Sequence, residues 1–338
     1  LQLLTKDTKS VWQNGVLTEV PCATTTITIV IADGKTNPFE IGSAQELRDI
    51  ADSSKYSLAL ESRYVLTKNI DLSGENWTPI GTAENPFKGT LSGRYQIEEG
   101  NYRDYSIIGL RLNYNNSAGA TSTADKHGYY GLFGYVDVNG RIEHLSIYNY
   151  SINISTYQRI ENIQELNEYI GVIAGFNAGE ITDCIVDDGN LKTFNGTVIN
   201  RFKNSTAGIN YDQTSSRDGF NLFTNIGGAV GRNSGTMTGV KFKGLISFNS
   251  AKNSENNSFL SSKFARVGGL VGFNDGTIIG NSENFVVSNA FEEFDVVSII
   301  NAHRNSANIS TYNSVGGAIG FNSKVAQNLS VRTFVFAD

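Results

Sequence analysis

The amino-acid sequence predicts an all-β chain, a right-handed parallel β-helix with long inserted loops and a short capping helix near the N-terminus, on three observations. A glycine-rich apolar cluster recurs in register along the chain. An Asn/Gly turn and a short apolar strand follow most copies of it. The composition favours short strands and tight turns over long helices: 338 residues include 35 Gly and 37 Asn but only 4 Pro and 1 Met.

The repeat is legible residue by residue. Gly131-Leu132-Phe133-Gly134-Tyr135 is the first copy, and Gly171-Val172-Ile173-Ala174-Gly175-Phe176-Asn177-Ala178-Gly179 the second. Gly227-Gly228-Ala229-Val230-Gly231-Arg232-Asn233-Ser234-Gly235 and Gly268-Gly269-Leu270-Val271-Gly272-Phe273-Asn274-Asp275-Gly276 follow, and Gly316-Gly317-Ala318-Ile319-Gly320-Phe321-Asn322 closes the series. The closing glycines fall at 134, 175, 231, 272 and 320, spaced by 41, 56, 41 and 48 residues. A strand, a turn and another strand of this size cannot bury their own apolar faces, so the copies must stack to share a core. The spacings fit two solenoid turns per repeat with loops of varying size inserted. Gly175, Gly231, Gly272 and Gly320 are expected at corners or at close backbone approaches.

In chain order, residues 1–63 form a lead-in and N-terminal cap, with 1–37 irregular or strand-forming. A short helix is expected at 43–52, where Ser43 and Glu46 make an S-x-x-E capping box and Leu47, Ile50 and Ala51 share a face. It would cover the open edge of the solenoid. The β-helix itself is expected over 64–338, with repeats near 130–147, 169–186, 225–246, 266–281 and 314–331. Polar inserts lie at 148–168, 187–224, 247–265 and 282–313, and 162–168 reads as a second helical piece. The chain opens at Leu1 without a charged n-region, so a signal or anchor is expected outside this sequence.

The pattern resembles the GLUG motif, a glycine-rich repeat of bacterial surface proteins and of some secreted peptidases, over about residues 38–331. Phe39-Glu40-Ile41-Gly42-Ser43-Ala44-Gln45-Glu46-Leu47 and Trp77-Thr78-Pro79-Ile80-Gly81 are similar to the leader that precedes such repeats. The first copy departs from it with Val136 where others carry Asn, and the third with Arg232 where others carry an aromatic. In plan, a single β-helical module with few cysteines and many loop aromatics, the chain is similar to the tapirins, cellulose-binding adhesins of plant-degrading bacteria. The resemblance implies an extracellular, bacterial cell-surface location.

Composition excludes several classes. With 27 basic and 33 acidic residues the net charge is −6 and no segment concentrates Lys or Arg, which disfavours nucleic acid as a partner. No apolar run approaches the ~20 residues of a membrane helix, so no membrane insertion is expected. Asp187-Asp188-Gly189 is the nearest candidate for an acid pair, and reads as a solvated turn. No H-E-x-x-H and no D-x-D-x-D loop occurs, so no metal and no cofactor is expected, although a calcium site built from carbonyls leaves no sequence trace. Cys22 and Cys184 read as small buried hydrophobes, their pairing left open.

Asn177, Asn233, Asn274 and Asn322 form a column that reads as a structural amide ladder rather than a ligand site. The column of Tyr135, Phe176, Phe273 and Phe321 reads as an internal stack in preference to an outward strip. The inserts hold the candidate carbohydrate-binding rings Tyr148, Tyr157, Phe194, Phe202, Tyr211, Phe220, Phe259 and Tyr312, set among amides and hydroxyls; the alternative is that they pin long loops to the wall. The reading is a monomeric, non-catalytic adhesin module for an insoluble plant polysaccharide, cellulose first. Its rival is a stalk or accessory domain of a larger secreted protein, and a polysaccharide lyase or hydrolase comes third.

Overall fold

A computed structural model of the chain describes residues 2–5, 8–13, 16–21, 25–28, 32–56, 59–116, 127–157, 165–188, 208–215, 221–250, 264–281, 296–304 and 312–337. The chain is all-β with parallel sheets. The first sheet holds His127–Tyr130, Glu165–Ile170, Asn221–Gly227, Phe264–Gly268 and Tyr312–Gly316, in that order. The second holds Phe133–Val136, Ala174–Asn177, Val230–Asn233, Val271–Asn274 and Ile319–Asn322. A third, eight-stranded sheet runs from Phe39–Ile41 to Val325–Gln327, and a fourth, ten-stranded sheet contains the strands from Ile70–Asp71 to Val331–Ala337. The described pairings from residue 127 onward are all parallel.

One repeat makes one layer, not the two turns its length suggests. Ala174–Asn177 pairs directly with Val230–Asn233, and that strand with Val271–Asn274. Between Gly134 and Gly175 the chain passes through Arg141–Glu143, Ser146–Tyr148, Ser151–Tyr157 and Glu165–Ile170 before it returns beside itself, so five strand segments and their corners use up the repeat. Over 165–168 the last of these strands takes the place of the helical piece expected at 162–168, whose residues 162–164 lie outside the described residues. Pairing with the neighbouring layers overrides the local helical pattern, since Glu165–Ile170 is bonded on both sides.

The layers share a continuous apolar interior. Leu91, Ile142, Ile181, Met237 and Ile278 stand in register in the third sheet and are all buried. Full burial of such side chains contributes about 1.5–3 kcal/mol each. Beside them runs the amide ladder: Asn177 donates to Asn233 at 2.8 Å, Asn233 to Asn274 at 2.8 Å, and Asn274 to Asn322 at 2.7 Å. Because successive layers are in direct contact, no intervening residue is needed to complete it. Each amide also braces its own turn, as where Asn177 accepts the Gly179 N–H at 3.1 Å.

Two kinds of position carry the bends. A Cβ on Gly272 would stand 2.6 Å from the Ile226 nitrogen and 2.7 Å from the Gly231 oxygen, so this glycine answers to close backbone approach. The left-handed corner lies elsewhere. His144 (φ 51°), Asp183 (φ 50°), Gly239 (φ 64°) and Asn328 (φ 57°) each directly follow a third-sheet strand, occupying equivalent places in their layers.

Near the N-terminus, Phe39–Ile41 pairs in parallel with Arg63–Leu66, so the parallel stack begins upstream of residue 64. The helix Ala44–Asp49 follows directly. Ser43 accepts the Glu46 N–H at 3.2 Å, the half of the capping box that its sequence announces, while Glu46 reaches one residue further back and accepts the Gly42 N–H at 2.8 Å. Leu47 and Ile50 join the core, whereas Ala51, expected on the same face, is exposed because the helix has already ended. Antiparallel pairing joins Gln2–Thr5 to Thr25–Thr28, Thr8–Gln13 to Val16–Pro21, and Arg94–Glu98 to Asn101–Asp104.

Candidate functional site

The glycine register creates a re-entrant corner between the first and second sheets. A Cβ on Gly175 would lie 2.7 Å from the Tyr130 nitrogen and 2.8 Å from the Tyr169 oxygen, so only glycine lets these strands meet so closely. The side chains flanking the corner consequently face each other. On the first sheet Tyr129, Tyr169, Asn225, Arg266 and Ser314 stand in register, and on the second Tyr135, Phe176, Arg232, Phe273 and Phe321.

Contacts run in both directions. Across the corner, ring centroids of Tyr129 and Tyr135 are 5.6 Å apart, those of Tyr169 and Phe176 also 5.6 Å, and the Arg266 guanidinium lies 4.3 Å from the Phe273 ring. Between layers, Tyr129 stacks on Tyr169 at 5.2 Å and Tyr135 on Phe176 at 4.5 Å. Arg232 fills the third layer, 5.2 Å from the Phe176 ring and 5.0 Å from that of Phe273. A guanidinium thus continues the stack where the repeat lacks an aromatic.

This overturns the expectation that the second-sheet column is internal. Tyr135, Phe176 and Phe273 are half-buried, Phe321 is 43% exposed, and none belongs to the apolar core. The rings are covered by one another across the corner, while the residue that follows, Asn177 in the second layer, turns inward. Tyr169 is the most covered, at 6% exposure.

The groove carries an uneven charge. Arg232 donates to Asp275 at 2.6 Å and Ser234 to the same carboxylate at 2.6 Å. Burial pushes the Asp275 carboxyl up, but the hydrogen bonds from Arg232 and Ser234 outweigh it, so it ionises below its ordinary value of 3.8. Burial likewise pulls Arg232 down, and Asp275 and Tyr169 more than restore it. Arg266 differs: burial and then repulsion from Arg232 lower its affinity for the proton, and its hydrogen bond is to Asn225 at 3.3 Å. Burial raises the Tyr129 and Tyr135 phenols, so both rings are neutral.

A second concavity, a cleft of about 750 Å³, opens under the hairpin Arg94–Glu98 and Asn101–Asp104, lined among others by Glu40, Arg63, Tyr95, Tyr102 and Glu143. Tyr95 donates to Glu40 at 3.1 Å. Glu40, Val65, Ser92 and Glu143 occupy successive register positions, placing the backbones of Glu40 and Glu143 about 14 Å apart at ordinary strand spacing. Glycosidase pairs stand about 5–9.5 Å apart. The cleft's lining is polar and aromatic.

Of the insert aromatics, Tyr148 is half-buried in register with Asp187. Tyr157, Tyr211 and Tyr312 lie on strands, but their side chains fall outside the described residues, as do Phe194, Phe202, Phe220 and Phe259 altogether. The Asp187-Asp188 pair is not a solvated corner. Asp188 is 1% exposed and accepts the Leu245 N–H at 3.2 Å, and Asp187 pairs with Lys243 at 3.4 Å, because the next layer covers this end of the strand. Cys184 is buried and free, its thiol pushed up to about 12 by burial; Cys22 lies outside the described residues. Among the described residues no group of three or more His, Cys, Asp or Glu could hold a metal, and no helix is long and apolar enough to cross a membrane.

Sequence reasoning passed over two features. Tyr129, Tyr169 and Arg266 each stand two residues before the opening glycine of their repeat, a position whose regularity would have revealed the second wall of the groove. On the fourth sheet Asn153 donates to Asn113 at 2.8 Å and Asn210 to Asn153 at 3.0 Å, a ladder announced by the apolar-Asn-apolar triplets around each.

No family model and no solved structure matches the chain. A protein of Evansella cellulosilytica described as a "Putative Gly-rich membrane protein" is 27% identical over 157 residues, 46% of this chain. The match spans 15% of that relative's length.

Proposed function

We propose that the four sheets wind as one right-handed β-helix of the GLUG type, entered at the strand Phe39–Ile41 and covered by the helix Ala44–Asp49, and that this chain is a non-catalytic extracellular adhesin module for an insoluble plant polysaccharide, cellulose first. The observation that carries this reading is the two-walled groove of half-buried rings at the corner of the first and second sheets. Its five layers extend about 19 Å at ordinary strand spacing, and rings line both walls at one end. An extended β-linked glycan lying along it meets the exposed edges of successive rings, whose faces stack on one another between layers. The half-buried Ser314 hydroxyl offers a partner for sugar hydroxyls, whereas Asn225 is buried and committed to Glu168 and Arg266.

Retention of the purified chain on microcrystalline cellulose, xylan, chitin and pectin tests this reading. Aromatic contacts contribute about 0.5–1.5 kcal/mol each, so replacing Tyr135, Phe176 and Phe273 together by Ala should weaken retention on cellulose by roughly ten- to two-thousand-fold, with circular dichroism unchanged. Release of reducing sugar would revive a hydrolase. Binding to none of the four solids would favour a stalk within a longer protein.

A further inference from the structure

The groove changes character along its length. In the first two layers its walls are Tyr129, Tyr135, Tyr169 and Phe176; in the third and fourth they are Asn225, Arg232, Arg266 and Phe273. Two guanidiniums therefore sit in adjacent layers of a half-buried corner, and a single carboxylate, Asp275, answers them. Asp275 is held at 2.6 Å by Arg232 and engaged again by Ser234. Among the described residues no carboxylate pairs with Arg266. Its planar fork has five N–H donors, and one is satisfied, by Asn225 at 3.3 Å. The rings of Phe273 at 4.3 Å and Phe321 at 5.1 Å contact its face, which leaves the edge with the remaining donors uncommitted.

From this arrangement we propose that Arg266 is a carboxylate-binding position in the groove, and that the glycan it selects is an extended β-linked chain carrying uronate groups. The proposal rests on the polysaccharide reading above and narrows its substrate class. A planar guanidinium recognises a carboxylate through two parallel N–H bonds, which a neutral hydroxymethyl group cannot reproduce. The anion would also relieve the repulsion between Arg266 and Arg232. Bulk electrostatics oppose the preference, since the chain carries −6 overall, so attraction to an acidic solid must come from a local cation such as this one.

The test compares two solids that differ in one group: cellulose, and cellulose oxidised at C6 to carry glucuronate. At low salt the chain should be retained about two- to fivefold more tightly on the oxidised solid, as expected of one partly exposed ion pair. Moderate salt should remove the difference. Arg266→Gln should abolish the preference while binding to plain cellulose persists, and Arg266→Lys should restore part of it, which a purely structural role would not. Arg103→Gln, on the exposed hairpin, should leave the preference intact. Equal retention on both solids, or a preference that survives in Arg266→Gln, overturns the carboxylate position and leaves the cellulose reading standing. Retention on the oxidised solid alone supports the carboxylate position and overturns cellulose as the first choice of ligand. Retention on neither overturns both.

Discussion

Replacing Asn233 by Ala removes the middle rung of the buried amide ladder. The side chain donates to Asn274 and accepts from Asn177, both at 2.8 Å, and donates weakly to Gly235 at 3.3 Å. Asn177, Asn233 and Asn274 are all inaccessible to solvent, so truncation leaves one amide of Asn177 and one carbonyl of Asn274 short of a partner. Each orphaned buried group costs about 1–3 kcal/mol, and both neighbours keep a fallback within their own turns, Asn177 with Gly179 and Asn274 with Gly276. The expected destabilisation is about 2–4 kcal/mol. Asn322 is the internal control. It is exposed and closes the ladder from one side, so Asn322→Ala should cost about 0.5–1 kcal/mol. Urea unfolding followed by circular dichroism, run on both variants and the parent, reads the difference. Equal losses in the two variants, or no loss in Asn233→Ala, would refute the account of the ladder as a buried, mutually satisfied network.

Gly272→Val should abolish soluble expression or cost more than about 3 kcal/mol, because its Cβ meets backbone atoms that cannot move aside, whereas Gly74→Ala, with nothing within 4 Å, should leave the urea midpoint unchanged. Cys184 should resist alkylation at pH 8 until the chain is unfolded, since its thiol is both buried and pushed up to about 12; rapid labelling of the native chain would contradict its placement. Asp275 ionises below 3.8 in the folded chain, so its contribution to stability is complete above that value and fades as the pH falls through the folded value. The stability gap between the parent and Asp275→Asn should thus be constant near neutrality and narrow below pH 3.8; a gap that widened on acidification would reverse the sign of the argument.

The glycine spacing and the Asn column were sufficient to align the repeats against one another, because stacked copies of one sequence must place like residues against like. Asn177, Asn233, Asn274 and Asn322 therefore meet as the register implies. The capping box at Ser43 was equally legible, being a contact within four residues. Three-dimensional packing decided the rest. Whether one repeat fills one layer or two depends on how far apart the sheets stand, which no spacing encodes. The burial of Asp188 depends on the next layer, 57 residues on at Leu245. The outward turn of Tyr135, Phe176 and Phe273 depends on a corner in which alternation between faces breaks down, since Phe133 and Tyr135, two residues apart, lie on opposite sides of the wall. Period-two reasoning assumes a straight strand. Here glycine permits the strand to be pressed against its neighbour, and that contact, formed between residues distant in sequence, turns an expected core stack into the lining of a groove.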